Sequence, residues 1–296
     1  MSFAPRGILP AMVTPLNDRE EVNEKALRSL VDFLVDSGVH GIFVVGSQGE
    51  AYALSQDEKK KVMETAVEQT AKRVPVYAGT GAVTTSEAVE LTQMAEKIGV
   101  DAVSVITPYF LSPSQEELYE HYKIIANSTS LPILLYNNPG KTGGVNISIG
   151  LAERLSQIEN IVGIKDSSGD MTLTGEYIRK TKGKGFSVLA GRDTLILSTL
   201  LYGGSGAISA TANVAPKIAV GIYEHFMKGD IEKAKEAQFA LAPLRVAFEL
   251  GTFPVVIKEA LKLIGIDAGP AKSPVKGLSD AKRRELKEIL KGMGLL

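Results

Sequence analysis

Residues 131–142 read LPILLYNNPGKT and residues 160–170 read NIVGIKDSSGD. Each is a short apolar run that ends in a polar, glycine-bearing turn. Continuous apolar runs of this length fit strands buried on both faces, as in a parallel sheet. The two strands are expected at Ile133–Tyr136 and Val162–Lys165. Working outward, six similar runs recur at Gly7–Val13, Gly41–Val45, Val76–Gly79, Ala102–Ile106, Ser187–Ala190 and Gly206–Ser209. Amphipathic stretches separate them. Glu24–Ser37 carries Leu27, Leu30, Val31 and Leu34 at helical spacing before Gly38, and Thr84–Lys97 and Ser114–Ala126 behave alike. Ser55 opens SQDE, a capping-box spacing. Eight strand–helix units in series fit a (β/α)8 TIM barrel or a doubly wound sheet, and the count of eight favours the barrel.

The tail predicts helices at Ile218–Met227, Ile231–Glu249, Phe253–Ile264 and Asp280–Leu290. The expected organisation is a barrel with the active site over residues 1–215. Residues 216–296 then hold the last barrel helix and a C-terminal helical extension.

The 296 residues are 44% hydrophobic and 23% charged, with a net charge of -1. A near-neutral balance argues against a nucleic-acid or membrane-surface binder, since both require a basic face. The absence of cysteine excludes disulfides, thiolate metal sites and a cysteine nucleophile. The opening MSFAPRGILPAMVTP has no apolar run long enough for a signal peptide or a membrane span. These features fit a cytoplasmic enzyme. His40 falls at the start of the second strand, away from the reactive end. His121 and His225 fall in helices with no second ligand at metal spacing, so no metal site is expected.

In a barrel, chemistry sits at the C-terminal ends of the strands. Lys165 ends the sixth strand, facing an apolar mouth where desolvation disfavours the ammonium and frees the amine as a nucleophile toward carbonyls. Tyr136 holds the matching place on the fifth, where a phenol can shuttle protons. Taken singly, each has an ordinary alternative, a lysine that snorkels to solvent and a core aromatic with a tied hydroxyl. Together on adjacent strand tops they are harder to dismiss. After the second strand, GSQGE (46–50) can present backbone amides and the Ser47 hydroxyl to a carboxylate. The top of the eighth strand, GAISATANVAP, is small and leaves room for a substrate. Two nucleotide-loop patterns fail. PGKTGG lacks the glycine five places before Gly140, where Leu135 stands, and AGTGAV (78–83) lacks a third glycine.

GSQGE, YNNPGKT (136–142), GIKDSSGD (163–170) and SATANVAP (209–216) together resemble the dihydrodipicolinate synthase / N-acetylneuraminate lyase superfamily, in its order and across roughly the whole barrel. The resemblance implies a barrel enzyme, usually a homotetramer, in which pyruvate condenses with a lysine to give an enamine. No cofactor is implied beyond that covalent imine. Carried over by position, Lys165 is similar to the Schiff-base lysine and Tyr136 to the proton donor and acceptor. Ser47 joins them in the catalytic set. Gly46, Ser47 and Gln48 fall where the pyruvate carboxylate is bound, Ile208 where a backbone carbonyl lines the pocket, and Gly191 in a loop beside it.

Three positions depart from dihydrodipicolinate synthases proper. The carboxylate turn reads Ser47–Gln48 where two threonines are usual. Phe110 stands where a neighbouring subunit's tyrosine completes a proton relay. Lys141 stands where an arginine grips the second substrate, and an ammonium cannot make the bidentate fork. The leading expectation is therefore a class I lyase acting on pyruvate and an aldehyde. It is either dihydrodipicolinate synthase-like or a 2-keto-3-deoxy sugar acid aldolase, with an acceptor that differs from or is broader than aspartate semialdehyde and higher specificity constants expected for polyhydroxy aldehydes such as glyceraldehyde. A superfamily dehydratase, an N-acetylneuraminate lyase and a catalytically idle pyruvate-binding homologue are the alternatives.

Overall fold

The computed structural model describes residues 3–296. Eight parallel strands form one sheet: β1 (Gly7–Pro10), β2 (Ile42–Val44), β3 (Val76–Gly79), β4 (Ala102–Ile106), β5 (Ile133–Asn137), β6 (Ile161–Asp166), β7 (Ser187–Ala190) and β8 (Gly206–Ser209). Each strand from β2 to β7 lies between its neighbours in sequence, and β8 pairs with β1. The ring closes between β1 and β2, where Ala11 bridges Phe43, the Met12 amide donates to the Phe43 carbonyl at 2.8 Å and the His40 amide donates to Ile8 at 2.9 Å. This is the expected (β/α)8 barrel. The first two strands are shorter than the apolar runs suggest. Val45 takes a positive φ of 53°, which ends β2 one residue early.

Helices α1 (Glu24–Asp36), α2 (Gln56–Thr70), α3 (Thr85–Ile98), α4 (Gln115–Asn127), α5 (Ile149–Leu155), α6 (Met171–Thr181), α7 (Ile196–Leu201) and α8 (Pro216–Met227) follow the strands in turn. Their starts are set by local chemistry. Ser55 and Ser114 each form a complete capping box with Glu58 and Glu117, satisfying amides that a helix start leaves unpaired. Leu27, Leu30, Val31 and Leu34 of α1 are all buried, as their spacing predicts. Two apolar layers result. The barrel interior is filled by Leu9, Phe43, Tyr77, Leu134, Leu189 and Ile208, and a larger layer lies between sheet and helices. The barrel is thus a packed plug with a solid floor beneath its mouth. No helix of the described residues is long and apolar enough to cross a membrane.

The tail continues as α9 (Ile231–Val246), α10 (Val255–Leu263) and α11 (Asp280–Gly292). The helix expected to reach Glu249 stops at Val246. Pro243 in its last turns removes an amide donor, and the chain passes into a 3-10 turn at Ala247–Leu250. From α10, Lys258 reaches the barrel mouth. Its Nζ lies 2.6 Å from Glu50 of the GSQGE turn, with the two side chains 2% and 0% exposed. Burial pushes the Lys258 ammonium below its ordinary range, and the Glu50 charge opposes that shift. Lys258 also donates to the Pro270 carbonyl at 2.6 Å, while the Lys272 amide donates to the other Glu50 oxygen at 2.7 Å.

Breaking such a pair strands a buried charge. Lys258→Met is expected to lower unfolding stability by about 3–5 kcal/mol. The double variant with Glu50→Gln should lose less than the two single losses added together. Chemical denaturation monitored by circular dichroism checks both, and a Lys258→Met loss under about 1 kcal/mol would show the pair to be dispensable.

Candidate active site

β5 and β6 bring the two reactive side chains together. Tyr136 and Lys165 are direct register partners, so they leave the sheet on the same face at the C-terminal rim. Lys165 Nζ lies 4.2 Å from the centre of the Tyr136 ring and 5.3 Å from that of Phe43, and both Lys165 and Tyr136 are 5% exposed. The Asn138 amide donates to the Tyr136 hydroxyl at 2.8 Å. Burial alone would push this phenol up. The Lys165 ammonium and hydrogen bonding with Ser47, Asn138 and Ser167 outweigh it and hold the phenol below its ordinary value.

Two joined cavities open over this pair. The main one, about 460 Å³, gathers Ser47, Gln48, Tyr136, Lys141, Lys165, Gly191 and Ile208. A more apolar side chamber of about 210 Å³ lies toward β2, β3 and β4, and includes Gly46, Tyr52 and Tyr109. Ser47, Tyr136, Lys141 and Phe253 face both. Eight of the nine expected site residues therefore converge. Phe110 does not. It lines neither cavity, sits at a positive φ of 74° and is 94% exposed, because its loop carries it outward from the mouth of its own barrel.

Gly191 matters by what it lacks. A Cβ there would stand 2.0 Å from Ser167 Oγ, so any side chain would displace the hydroxyl beside Tyr136. Gln48 Oε1 is buried without a hydrogen-bond donor, which leaves an acceptor free for a ligand. Lys141 Nζ lies 4.8 Å from the centre of the Phe253 ring, a cation–π distance.

Sequence reading missed several cavity residues. Asn138 and Ser167 stand inside the quoted motifs. Arg192 and Asp193 follow Gly191 at the top of β7, where the strand-end rule applies. Arg245, Phe248 and Phe253 come from the tail and roof the cavity, and no local pattern marks them. Asp193 is buried, accepts hydrogen bonds from Ser209 and Thr211, and pairs with Arg245 Nε at 3.7 Å. His40 sits away from the mouth, 3.1 Å from Glu224. His121 is buried against Thr85, and burial pushes it down to about 4. Among the described residues no three His, Cys, Asp or Glu side chains converge as a metal site.

The model of the dihydrodipicolinate synthetase family matches residues 4–293. A 4-hydroxy-tetrahydrodipicolinate synthase from Methanothrix thermoacetophila is 41% identical over 288 residues, 97% of each chain. One from Methanoculleus marisnigri is 41% identical over 97% of this chain and 99% of its own. Among solved structures, dihydrodipicolinate synthase from Thermotoga maritima superposes with a TM-score of 0.96 at 35% identity, covering 99% and 100% of the two chains. A prophage protein of the dihydrodipicolinic acid synthase family from E. coli K12, solved with pyruvate, gives 0.94 at 34% identity, covering 98% and 99%. With matches of this extent and a lysine–tyrosine pair at the rim of an eight-stranded barrel, the chain belongs to the dihydrodipicolinate synthetase family.

Proposed function

We propose that this protein is a class I lyase of the 4-hydroxy-tetrahydrodipicolinate synthase type, which holds pyruvate as an imine on Lys165 and adds its enamine to an aldehyde. The observation that carries this reading is the buried register pair of Tyr136 and Lys165 at the floor of the main cavity. The names of relatives about 40% identical over nearly the full length support the synthase direction.

The residues divide the work as follows. The Lys165 amine attacks the C2 carbonyl of pyruvate, and the carbinolamine loses water to give an iminium. Loss of a C3 proton leaves the enamine. C3 then attacks the aldehyde carbon, and the new alkoxide takes a proton. The Tyr136 phenol gives a proton to the departing carbinolamine hydroxyl and, as phenolate, takes one back from C3, so it begins and ends enamine formation protonated. The Ser47–Gln48 turn holds the pyruvate carboxylate, with Gly46, Gly191 and the Ile208 carbonyl shaping the pocket. The imine on Lys165 takes the place of a cofactor. A second reading, cleavage of a 2-keto-3-deoxy sugar acid, is favoured by Lys141 and Phe110, which replace the acceptor-side arginine and tyrosine.

We further infer a homotetramer built from dimers. Phe110 and Leu111, 94% and 52% exposed at the tip of the loop after β4, supply an apolar contact for a second copy. Sedimentation at micromolar concentration should show the tetramer, and a monomer would contradict it.

Borohydride reduction in the presence of pyruvate and excess EDTA should leave a mass adduct on the peptide holding Lys165. No adduct, or one on another lysine, would refute the imine assignment. Tyr136→Phe should lower turnover roughly 10²–10⁴-fold, the range for a general acid–base group, while slowing imine trapping less. Near wild-type turnover would remove the phenol from the mechanism.

A further inference from the structure

The main cavity holds three cations besides Lys165, namely Lys141, Arg192 and Arg245. Arg245 is answered by the Asp193 carboxylate. Lys141 rests over the Phe253 ring. Arg192 is arranged differently. It is the second residue past β7 and half-buried, and its Nε donates to the Ser167 carbonyl at 3.3 Å. Gly169, at φ +83°, presses its backbone against the same side chain. A Cβ there would stand 3.3 Å from Arg192 Nε and 3.7 Å from a terminal nitrogen. The turn that follows Lys165 thus forms a slot for the guanidinium.

Arg192 makes no ion pair within 4.0 Å among the described residues. The neighbouring carboxylates are committed elsewhere. Asp166 takes Asn137, Ser168 and Thr174, Asp170 caps α6 through the Thr172 and Leu173 amides, and Asp193 takes Ser209, Thr211 and Arg245. A tethered guanidinium with unanswered charge, lining the same cavity as the nucleophilic lysine, is built to receive a planar oxyanion through a two-pronged hydrogen bond. The pyruvate carboxylate is already provided for by the Ser47–Gln48 turn on the β2 side of the mouth.

We propose that Arg192 binds a carboxylate of the second substrate and so selects an acidic aldehyde over a neutral one. It supplies from the top of β7 the fork that Lys141 cannot make. This rests on the imine reading of Lys165 and names the acceptor class for that same site.

The test uses the full-length protein with Arg192→Ala and Arg192→Lys. Specificity constants at saturating pyruvate are compared for aspartate semialdehyde, which carries a carboxylate, and glyceraldehyde, which does not. Wild type should prefer aspartate semialdehyde. Arg192→Ala should lower that constant roughly 10–100-fold, the scale for a charge-assisted hydrogen bond, with little change for glyceraldehyde. Arg192→Lys should recover part of it. The KM for pyruvate and borohydride trapping should stay at wild-type levels. An equal loss on both aldehydes would make Arg192 a scaffold residue and overturn the proposal. So would no loss on aspartate semialdehyde, or a wild-type preference for glyceraldehyde. Failure of wild type to trap pyruvate at Lys165 is a separate result, and it would sink the imine reading itself.

Discussion

The mouth of this barrel depends on one buried ion pair. Glu50 and Lys258 meet with essentially no exposed surface, and separating them would leave a charge in a low-dielectric interior. Glu50 closes the GSQGE turn three residues after Ser47, and its backbone is held at a positive φ of 59°. Val45, at φ 53°, holds the same unfavourable region just before the turn, and as a β-branched residue it is strained there. Distortions of this kind cost about 1–3 kcal/mol each and persist only where the surroundings over-determine them. The pair supplies that constraint at Glu50. Because Lys258 is on α10, it also fixes the segment before that helix, which carries Phe253 over the cavity. The GSQGE turn and the roof are therefore tied together through this pair.

The acidic groups at the rim follow a matching logic. A carboxylate in contact with a nucleophilic lysine would stabilise the ammonium and suppress attack on a carbonyl. Here Asp166, next in sequence to Lys165, accepts from Asn137, Ser168 and Thr174 on the outer side of the strand tops. Asp193 is absorbed by two hydroxyls and Arg245. These acids organise the loops without answering the lysine. What faces Lys165 is the π-surface of Tyr136 and Phe43.

The chemical pair was legible because strand, register and strand-end position are all local properties. An apolar run marks each of β5 and β6, and the last residues of those runs are Tyr136 and Lys165. Arg192 and Asp193, which follow Gly191 at the top of β7, were open to the same rule. Helices α5 and α7 are two turns or less, too short for helical periodicity to stand out. The tail was illegible for a deeper reason. Lys272 meets Glu50 across 222 residues of chain, and Phe253 reaches the Ser47 cavity from a similar distance. No local pattern encodes a contact of that span, so a segment that roofs the site reads as a plain helical extension.

That difference in legibility follows a division of labour. Lys165 and Tyr136 sit on strands whose register admits no local adjustment, since moving Lys165 by one place would turn it away from the mouth. Lys141, Arg192 and Phe253 line the cavity from loops and from the tail, outside the ladder between β5 and β6. Substitution at position 141 leaves the lysine–tyrosine geometry intact, because Lys141 packs on Phe253 and takes no part in that ladder. A barrel arranged in this way can vary its cavity lining while the Lys165–Tyr136 pair stays fixed, and two of the three departures from the usual motif, Phe110 and Lys141, stand on loops outside that pair.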